Sequence, residues 1–417
     1  MKVHFLGIGG IGVSALAQYY LAKGHKVSGS DLVFSEITNL LKKRGAKITI
    51  GKNVAKKDAN LTIYSPAVTV HPRGVHTMSY PEALGELTKQ HFTIAVCGTH
   101  GKSTTTAMLS LILIKAGFDP TVIIGTKLKE FGNGNFRAGG EPKRNVARTL
   151  LRGRNVLVIE ADEHFGSFLN YWPEMIIVTN IEADHLDYYK NLKNVKKSFK
   201  KFIGHLPKGG ILIQNSNIKN QNDNLKLKKI LKVPGGHNVY DASLALTAAR
   251  ALKITDKISL KALSKYKGAW RRFEIIKTKP FILVSDYGHN PQKVMAALKA
   301  AREKWPKKEI WCVYQPHQYQ RTYYLFDDFV KAFKTAPVNR IIITDIYDVA
   351  GREETATKKQ INSQKLVQAI NKKKVIYLPK DKIINYLQAN MQSGQIIIIM
   401  GAGDIYLLTD ELEKMKI

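Results

Sequence analysis

Short apolar runs recur along the chain, each ending in glycine or polar residues and followed by a longer stretch of helical periodicity. Val3–Leu6, His25–Gly29 and Leu61–Tyr64 predict strands, with a helix over Val13–Ala22. Phe92–Cys97 reads as a buried strand, and the apolar run Ala107–Ile114 as the body of the helix after it. Val156–Ile159 and Met175–Val178 are the next strands. Val195–Leu206 predicts an amphipathic helix, with Phe199, Phe202 and Ile203 on one face and lysines on the other. Phe131–Gly140 and Asn215–Asn224 read as loops, and Val239–Leu252 as an alanine-rich helix. Phe281–Val284, Ile310–Tyr314, Arg340–Thr344 and Ile396–Met400 then alternate with helical segments. Strands that are apolar without alternation are covered on both faces, as in parallel α/β sheets.

The strand tips carry the chemistry. After the first strand comes Gly7-Ile8-Gly9-Gly10-Ile11-Gly12, with Asp31 at the end of the second. This spacing suits a helix N-terminus that holds a diphosphate, whether of a dinucleotide or of a nucleotide sugar. Ser65 ends the strand Leu61–Tyr64, and His71 follows in a loop, where solvation alone also accounts for it. Phe92–Cys97 runs into Gly98-Thr99-His100-Gly101-Lys102-Ser103-Thr104. Such a loop turns backbone N–H groups toward phosphates, with Lys102 reaching the outer ones and the Ser103 hydroxyl on Mg²⁺. Val96 stands where the full pattern has its first glycine. Glu160, at the tip of the next strand, is placed as a Mg²⁺ ligand, and His185, in Asn180-Ile181-Glu182-Ala183-Asp184-His185, as a metal or phosphate group. Asn238 is either a helix cap or an amide that reads a base.

The 417 residues are 44% hydrophobic, enough for about two to four folded domains. The net charge of +32 suits nucleic acid, an anionic surface or polyanionic small substrates. The lysines are spread along the chain and no nucleic-acid motif accompanies them, which favours small anions. Cys97 and Cys312 lie in apolar strands and read as buried thiols of a reducing cytoplasm. No run approaches the ~20 apolar residues of a membrane span, and Met1–Gly7 enters a strand at once, unlike a leader.

Taken together these motifs resemble the Mur ligases, ATP-dependent enzymes that add amino acids to a peptidoglycan precursor. The resemblance rests on the two glycine loops, on Glu160-Ala161-Asp162-Glu163 and on Asn180 to His185. It continues through Gly236-His237-Asn238, Arg271-Arg272-Phe273, Asp286-Tyr287-Gly288-His289, Gln315-Pro316-His317 and Gly401-Ala402-Gly403. It implies three α/β domains: a Rossmann-like UDP-sugar domain over 1–89, a central ATP-binding domain with a shortened, mostly parallel sheet over 90–267, and a Rossmann-like amino-acid domain over 268–417. The family's phosphate loop is itself a short form of the pattern, which accounts for Val96.

The implied reaction phosphorylates the lactyl carboxylate of UDP-N-acetylmuramate and passes the acyl group to the amine of L-alanine, with ATP and Mg²⁺. By resemblance, Gly98, Thr99, His100, Gly101, Lys102, Ser103 and Thr104 hold the ATP phosphates, and Ser103, Glu160 and His185 the Mg²⁺. Asn238 contacts adenine, Asp286 the ribose, and Arg271 or Arg272 closes on the nucleotide. His289 sits near the transferred phosphate, while His317 and Arg321 hold the amino acid. Gly9, Gly10, Gly12, Asp31, Ser65 and His71 line the UDP-sugar site. A cytoplasmic monomer or homodimer is implied, with no membrane partner.

Four departures stand out. Gln318 replaces a usual arginine in the amino-acid pocket, and Asn290 a usual histidine. His164 and Phe165 replace small polar residues after Glu163, and the segment between Gln214 and Pro234 is short. Two other readings are a recycling ligase that joins a tripeptide to UDP-N-acetylmuramate and a weakly catalytic UDP-sugar or nucleotide sensor. Intact Lys102, Glu160 and His185 favour the enzyme, and the Gln-Pro-His tip favours a single amino acid.

Overall fold

The computed structural model describes residues 1–68, 76–142, 151, 153–218, 221–348 and 355–414. Two compact units are present: Met1–Lys232 with Asn238–Lys267, and Val233–His237 with Gly268–Ile417.

The first unit contains two sheets. One holds β1 (Lys2–Leu6), β2 (Lys26–Asp31), β3 (Lys47–Ile50), β4 (Leu61–Tyr64) and β5 (Thr77–Ser79), all parallel, in the order β3-β2-β1-β4-β5. The other holds β6 (Phe92–Cys97), β7 (Thr121–Leu128), β8 (Gly134–Arg137), β9 (Val156–Glu160), β10 (Met175–Val178) and β11 (Ile211–Ile213), in the order β11-β10-β6-β9-β7-β8. Only β8 runs antiparallel. Every residue of β6 is buried, because β9 and β10 flank it and helices cover both faces.

Helix α1 (Ile11–Ala22) follows β1 and packs against both β7 and β8. It lies between two sheets, so Val13 through Gln18 are all buried and the helix has no wet face there. Helices α2 (Glu36–Lys43) and α3 (Tyr80–Lys89) each open on a capping box, Ser35 with Thr38 and Ser79 with Glu82. Helix α4 (Lys102–Ala116) follows β6 and ends at Gly117 in the left-handed conformation.

Four sequence expectations need correction. Phe131–Gly140 is not all loop, since Gly134–Arg137 pairs with β7 as an edge strand. Asn215–Asn224 runs into a helix over Gln221–Ile230, which buries Leu227 and is tied down by the Arg250–Asp223 ion pair at 2.6 Å. The alanine-rich helix spans Gly236–Ala251, so Asn238 lies inside its first turn and not at its cap. The amphipathic helix runs over Leu192–Ile203, a few residues earlier than expected, with Val195, Phe199 and Phe202 buried.

The second unit is one sheet of β12 (Glu274–Lys277), β13 (Ile282–Asp286), β14 (Ile310–Tyr314), β15 (Arg340–Ile343), β16 (Val375–Tyr377) and β17 (Ile396–Met400). Its order is β12-β13-β17-β14-β15-β16, with only β12 antiparallel. The last strand, β17, inserts beside β13 and β14 with every residue buried, which explains its unbroken Ile-Ile-Ile-Ile-Met. Cys97 and Cys312 are buried free thiols, as expected. Among the described residues no helix is long and apolar enough to cross a membrane.

A buried amide pair joins the two sheets of the first unit. Gln18 on α1, 2% exposed, donates to the side-chain carbonyl of Asn135 on β8, 3% exposed, at 2.8 Å. Asn135 in turn donates to the Ile11 carbonyl and to the Ser14 hydroxyl. Substitution Asn135→Ala strands these partners away from water, at about 1–3 kcal/mol for each group left unpaired. A lowered melting temperature is expected for that variant and an unchanged one for an exposed control such as Lys193→Ala.

Candidate active site

The loop between β6 and α4 runs into a helix N-terminus, the kind of place where anions bind. Gly101 caps α4 with φ of 78°, and a Cβ there would overlap the carboxylate of buried Asp241. No other residue fits so close an approach. The segment after β10 buttresses the loop: Thr99 donates its backbone N–H to the Asn180 carbonyl at 3.1 Å, and His100 to the Asn180 side-chain oxygen at 2.9 Å. The Thr99 hydroxyl accepts from the Glu182 N–H at 2.9 Å. The His100 ring lies 3.5 Å from the Glu182 carboxylate. The first N–H groups of α4 have no partner within the helix and lie at the positive end of its dipole.

Lys102 and Ser103 open α4 and meet two different carboxylates. The Lys102 ammonium donates to Glu163 at 2.7 Å and to the Gly98 carbonyl at 2.8 Å, with Asp162 at 3.6 Å. Burial alone would pull its pKa down, but Glu163, Asp162 and Glu160 outweigh burial and hold it above the ordinary lysine value. The Ser103 hydroxyl lies 2.9 and 3.0 Å from the two Glu160 oxygens, and Gly125 of β7 donates its N–H to Glu160 at 2.8 Å. Thr104 is buried one residue further along the helix.

Asp162, Glu163 and His185 bring one donor atom each to within 4.8 Å of one another. Glu163 is 2% exposed; one oxygen accepts a hydrogen bond from the Lys102 ammonium, and the other has no hydrogen-bond donor and lies 3.7 Å from the His185 ring. Burial raises the Glu163 pKa, and Lys102 only partly opposes it. His185 has φ of 52°, and its ring stacks on His164 at 4.0 Å, which stacks in turn on Phe165 at 4.0 Å. The departures at His164 and Phe165 therefore build the wall behind His185. Sequence reasoning named Glu160 and His185 but not Asp162 or Glu163. Both follow the same strand tip as Glu160, a pattern that marks the acidic cluster without saying which carboxylate meets the lysine.

At the edge of the first sheet, Gly9 donates its N–H to Asp31 at 2.7 Å, and Asp31 also accepts from the Val33 N–H at 3.2 Å. Asp31 thus shapes the glycine loop. Gly10 precedes α1, Gly12 lies in its first turn, and Ser65 is at the tip of β4 beside Gly7. His71 lies outside the described residues.

The second unit gathers its named residues at the tips of β13, β14 and β17. Asp286 accepts from the Phe273 N–H at 2.8 Å and the Gly288 N–H at 2.7 Å; burial raises its pKa against those bonds. Asn290 caps the helix Pro291–Lys304 by accepting from the Lys293 N–H at 2.9 Å. Arg321 is 3.1 Å from the His317 ring, which stacks on Tyr347. Gln318 has φ of 73° and donates its N–H to the Tyr347 carbonyl at 3.0 Å. The two arginines separate. Arg271 is 4% exposed, gives its guanidinium to the Gly401 and Gly403 carbonyls, and lies over the rings of Trp270, Tyr287 and Tyr406. The Arg271 head is thus engaged within the fold, unlike the expectation that it could close on a nucleotide.

His289 has a defined tautomer. Its Nδ1 faces the Tyr287 carbonyl at 2.9 Å and must donate, while Nε2 faces the Lys293 ammonium at 3.3 Å and must accept. Burial first, then Lys293 and Arg321, lowers its pKa well below 6.5. Nitrogen NMR is expected to find His289 neutral and protonated on Nδ1 at neutral pH, with no titration as the pH falls through 6.5. A ring that titrates near the ordinary value, or carries its proton on Nε2, contradicts this geometry.

Three family models match the chain in order: the Mur ligase family catalytic domain over residues 2–92, the Mur ligase middle domain over 96–233, and the Mur ligase glutamate ligase domain over 271–403. The UDP-N-acetylmuramate–L-alanine ligase of Acetivibrio thermocellus is 38% identical, covering 99% of this chain and 96% of the relative. That of Clostridium acetobutylicum is 35% identical over 97% of this chain and 96% of the relative. The alignments, 469 and 460 columns long, exceed the 417 residues of the chain, so residues present in these relatives are missing here. Among solved structures, the Thermotoga maritima UDP-N-acetylmuramate–alanine ligase superposes with a TM-score of 0.79 at 24% identity, covering 99% of this chain and 98% of that one. A murein peptide ligase from Psychrobacter arcticus gives 0.71 at 24% identity, with both chains fully covered. The chain belongs to the Mur ligase family, whose members use ATP to form an amide bond.

Proposed function

We propose that the chain joins L-alanine to the lactyl carboxylate of UDP-N-acetylmuramate through an acyl phosphate. The observation that carries this reading is the likeness to L-alanine ligases along nearly the whole chain, 38% for the relative from Acetivibrio thermocellus. The arrangement of the first unit supports it. Two anions, a carboxylate and a triphosphate, repel each other in water, so a catalyst must concentrate positive charge where they meet.

Lys102 carries that charge, and the N–H groups from Gly98 to Thr104 bind the phosphates around it. The oxygens of Ser103 and Glu160, with His185 among Asp162 and Glu163, fit a hard divalent cation, and Mg²⁺ held there would neutralise phosphate charge. The unpaired Glu163 oxygen is the buried atom best explained by such an ion. Gly9, Gly10, Gly12, Asp31 and Ser65 hold the UDP-sugar, and His71 joins them by resemblance. Asn238 contacts adenine, Arg272 and Asp286 approach the nucleotide, and the neutral His289 lies near the transferred phosphate. His317 and Arg321 hold the amino acid, with the Arg321 guanidinium suited to its carboxylate. Gln318 leaves that pocket with one cation fewer than the family's usual pattern. The cytoplasm, where ATP and UDP-sugars are found, is the proposed location.

Phosphate release from ATP and Mg²⁺ is expected only when UDP-N-acetylmuramate and a small amino acid are both present, L-alanine foremost. Turnover with a tripeptide alone would overturn the reading in favour of a recycling ligase, and binding without turnover in favour of a sensor. Lys102→Met is expected to lower the rate by about 10²–10³-fold or more, as for loss of one preorganised charge at the transition state. EDTA is expected to abolish it.

A further inference from the structure

We infer that the hydroxyl of Tyr80 binds the lactyl carboxylate of the sugar substrate where the two glycine loops of the first unit face each other. This rests on the proposed function.

Tyr80 is the first residue of α3 and follows β5 directly, so it sits at the carboxyl edge of the first sheet. Its backbone is fixed from both sides. Ser79 caps the helix with Glu82 in a reciprocal box, and Pro81 occupies the first turn. The phenol reaches over to α1 and fills the space that Gly12 leaves open. A Cβ on Gly12 would lie 2.8 Å from both Cζ and the hydroxyl oxygen of Tyr80. One side of the hydroxyl is therefore the start of α1, where the glycine loop receives the diphosphate of the UDP-sugar.

The other side is the phosphate loop. The phenol lies within reach of the charges of Glu160 and Asp162, and a tyrosine hydroxyl carries its proton at neutral pH and can donate it in a hydrogen bond. Helix α1 is pinned there, since Asn135 on β8 holds the Ile11 carbonyl and α1 also packs against β7, whose Gly125 holds Glu160. Among the described residues the Tyr80 hydroxyl makes no side-chain hydrogen bond, so the fold does not need it. A phenylalanine would satisfy the packing. What remains is a fixed donor between a sugar-diphosphate loop and a triphosphate loop, and the group that must cross that gap is the substrate carboxylate. The ring also makes Gly12 obligatory for a second reason, apart from its approach to phosphate.

The test is calorimetric binding of UDP-N-acetylmuramate, UDP-N-acetylglucosamine (which lacks the lactyl group) and ADP to the full chain and to Tyr80→Phe, with melting temperatures. For UDP-N-acetylmuramate the variant is expected to bind about tenfold more weakly or worse, as for loss of a hydrogen bond to a charged acceptor. Its affinity for the other two ligands and its melting temperature should not change, and in turnover KM for the sugar should rise. Tyr80→Ala, which also removes the ring, should in addition lower the melting temperature. Equal binding of UDP-N-acetylmuramate by Tyr80→Phe and the parent would overturn the assignment. So would an equal loss for both UDP-sugars, or a fall in stability on losing the hydroxyl alone. Failure of the parent itself to bind UDP-N-acetylmuramate would instead sink the proposed function and this inference with it.

Discussion

The pairing of the Lys102 ammonium with Glu163, 2.7 Å apart and nearly out of water, is the constraint around which the first unit is arranged. An ion pair buried this deeply costs more in desolvation than an apolar pair of the same size, so stability alone does not explain it. It makes sense as a charge held ready at the loop proposed to hold phosphates. β6 and α4 set the lysine, β9 sets the carboxylates, and the segment after β10 sets His185 beside them. Each of these strands is buried on both faces, and only their tips are free to be polar. The chemistry is confined to one edge because nothing else in the sheet can carry it.

A second constraint fixes the other sheet relative to that edge. Helix α1 lies between the sheets and is held by amides, not only by apolar contact. Apolar packing by itself tolerates sliding, whereas the Gln18–Asn135 hydrogen bonds are satisfied in one register only. The glycine loop at the start of α1 is thus set against β7 and β8, and Tyr80 fills the remaining space beside Gly12. The second unit solves a similar problem with Arg271, whose buried guanidinium ties the residues before β12 to the loop after β17.

The sequence made both glycine loops and the central apolar strands, such as β6, β10, β14 and β17, readable because a strand buried on two faces is an almost unbroken apolar run, whereas β7 and the short β3, β5, β11 and β16 were not read from it. β8 was hidden because Gly134-Asn135-Phe136-Arg137 has the composition of a loop. It is a strand by virtue of β7 beside it and of the buried partners that Asn135 finds on α1. The helix Gln221–Ile230 was hidden in the same way: its Asn and Lys content argues for a loop, and Leu227 with the Asp223–Arg250 pair overrides that locally. At the site, adjacent Arg271 and Arg272 were equivalent on paper. Which head points inward shows only in the fold, where Arg271 takes a φ of 56° and its guanidinium meets the Gly401 and Gly403 carbonyls. Glu163 was passed over because nothing in a one-dimensional pattern says which carboxylate of Glu160-Ala161-Asp162-Glu163 meets the lysine.

The central claim is that the chain activates a carboxylate by phosphorylating it. The most direct measurement supplies UDP-N-acetylmuramate labelled with ¹⁸O in the lactyl carboxylate, together with ATP, Mg²⁺ and L-alanine, and follows the label by ³¹P NMR. One ¹⁸O in the released phosphate is the predicted result, because the carboxylate oxygen that takes up the phosphoryl group leaves with it when the amine attacks. Phosphate released without label, while the amide still forms, would contradict the account.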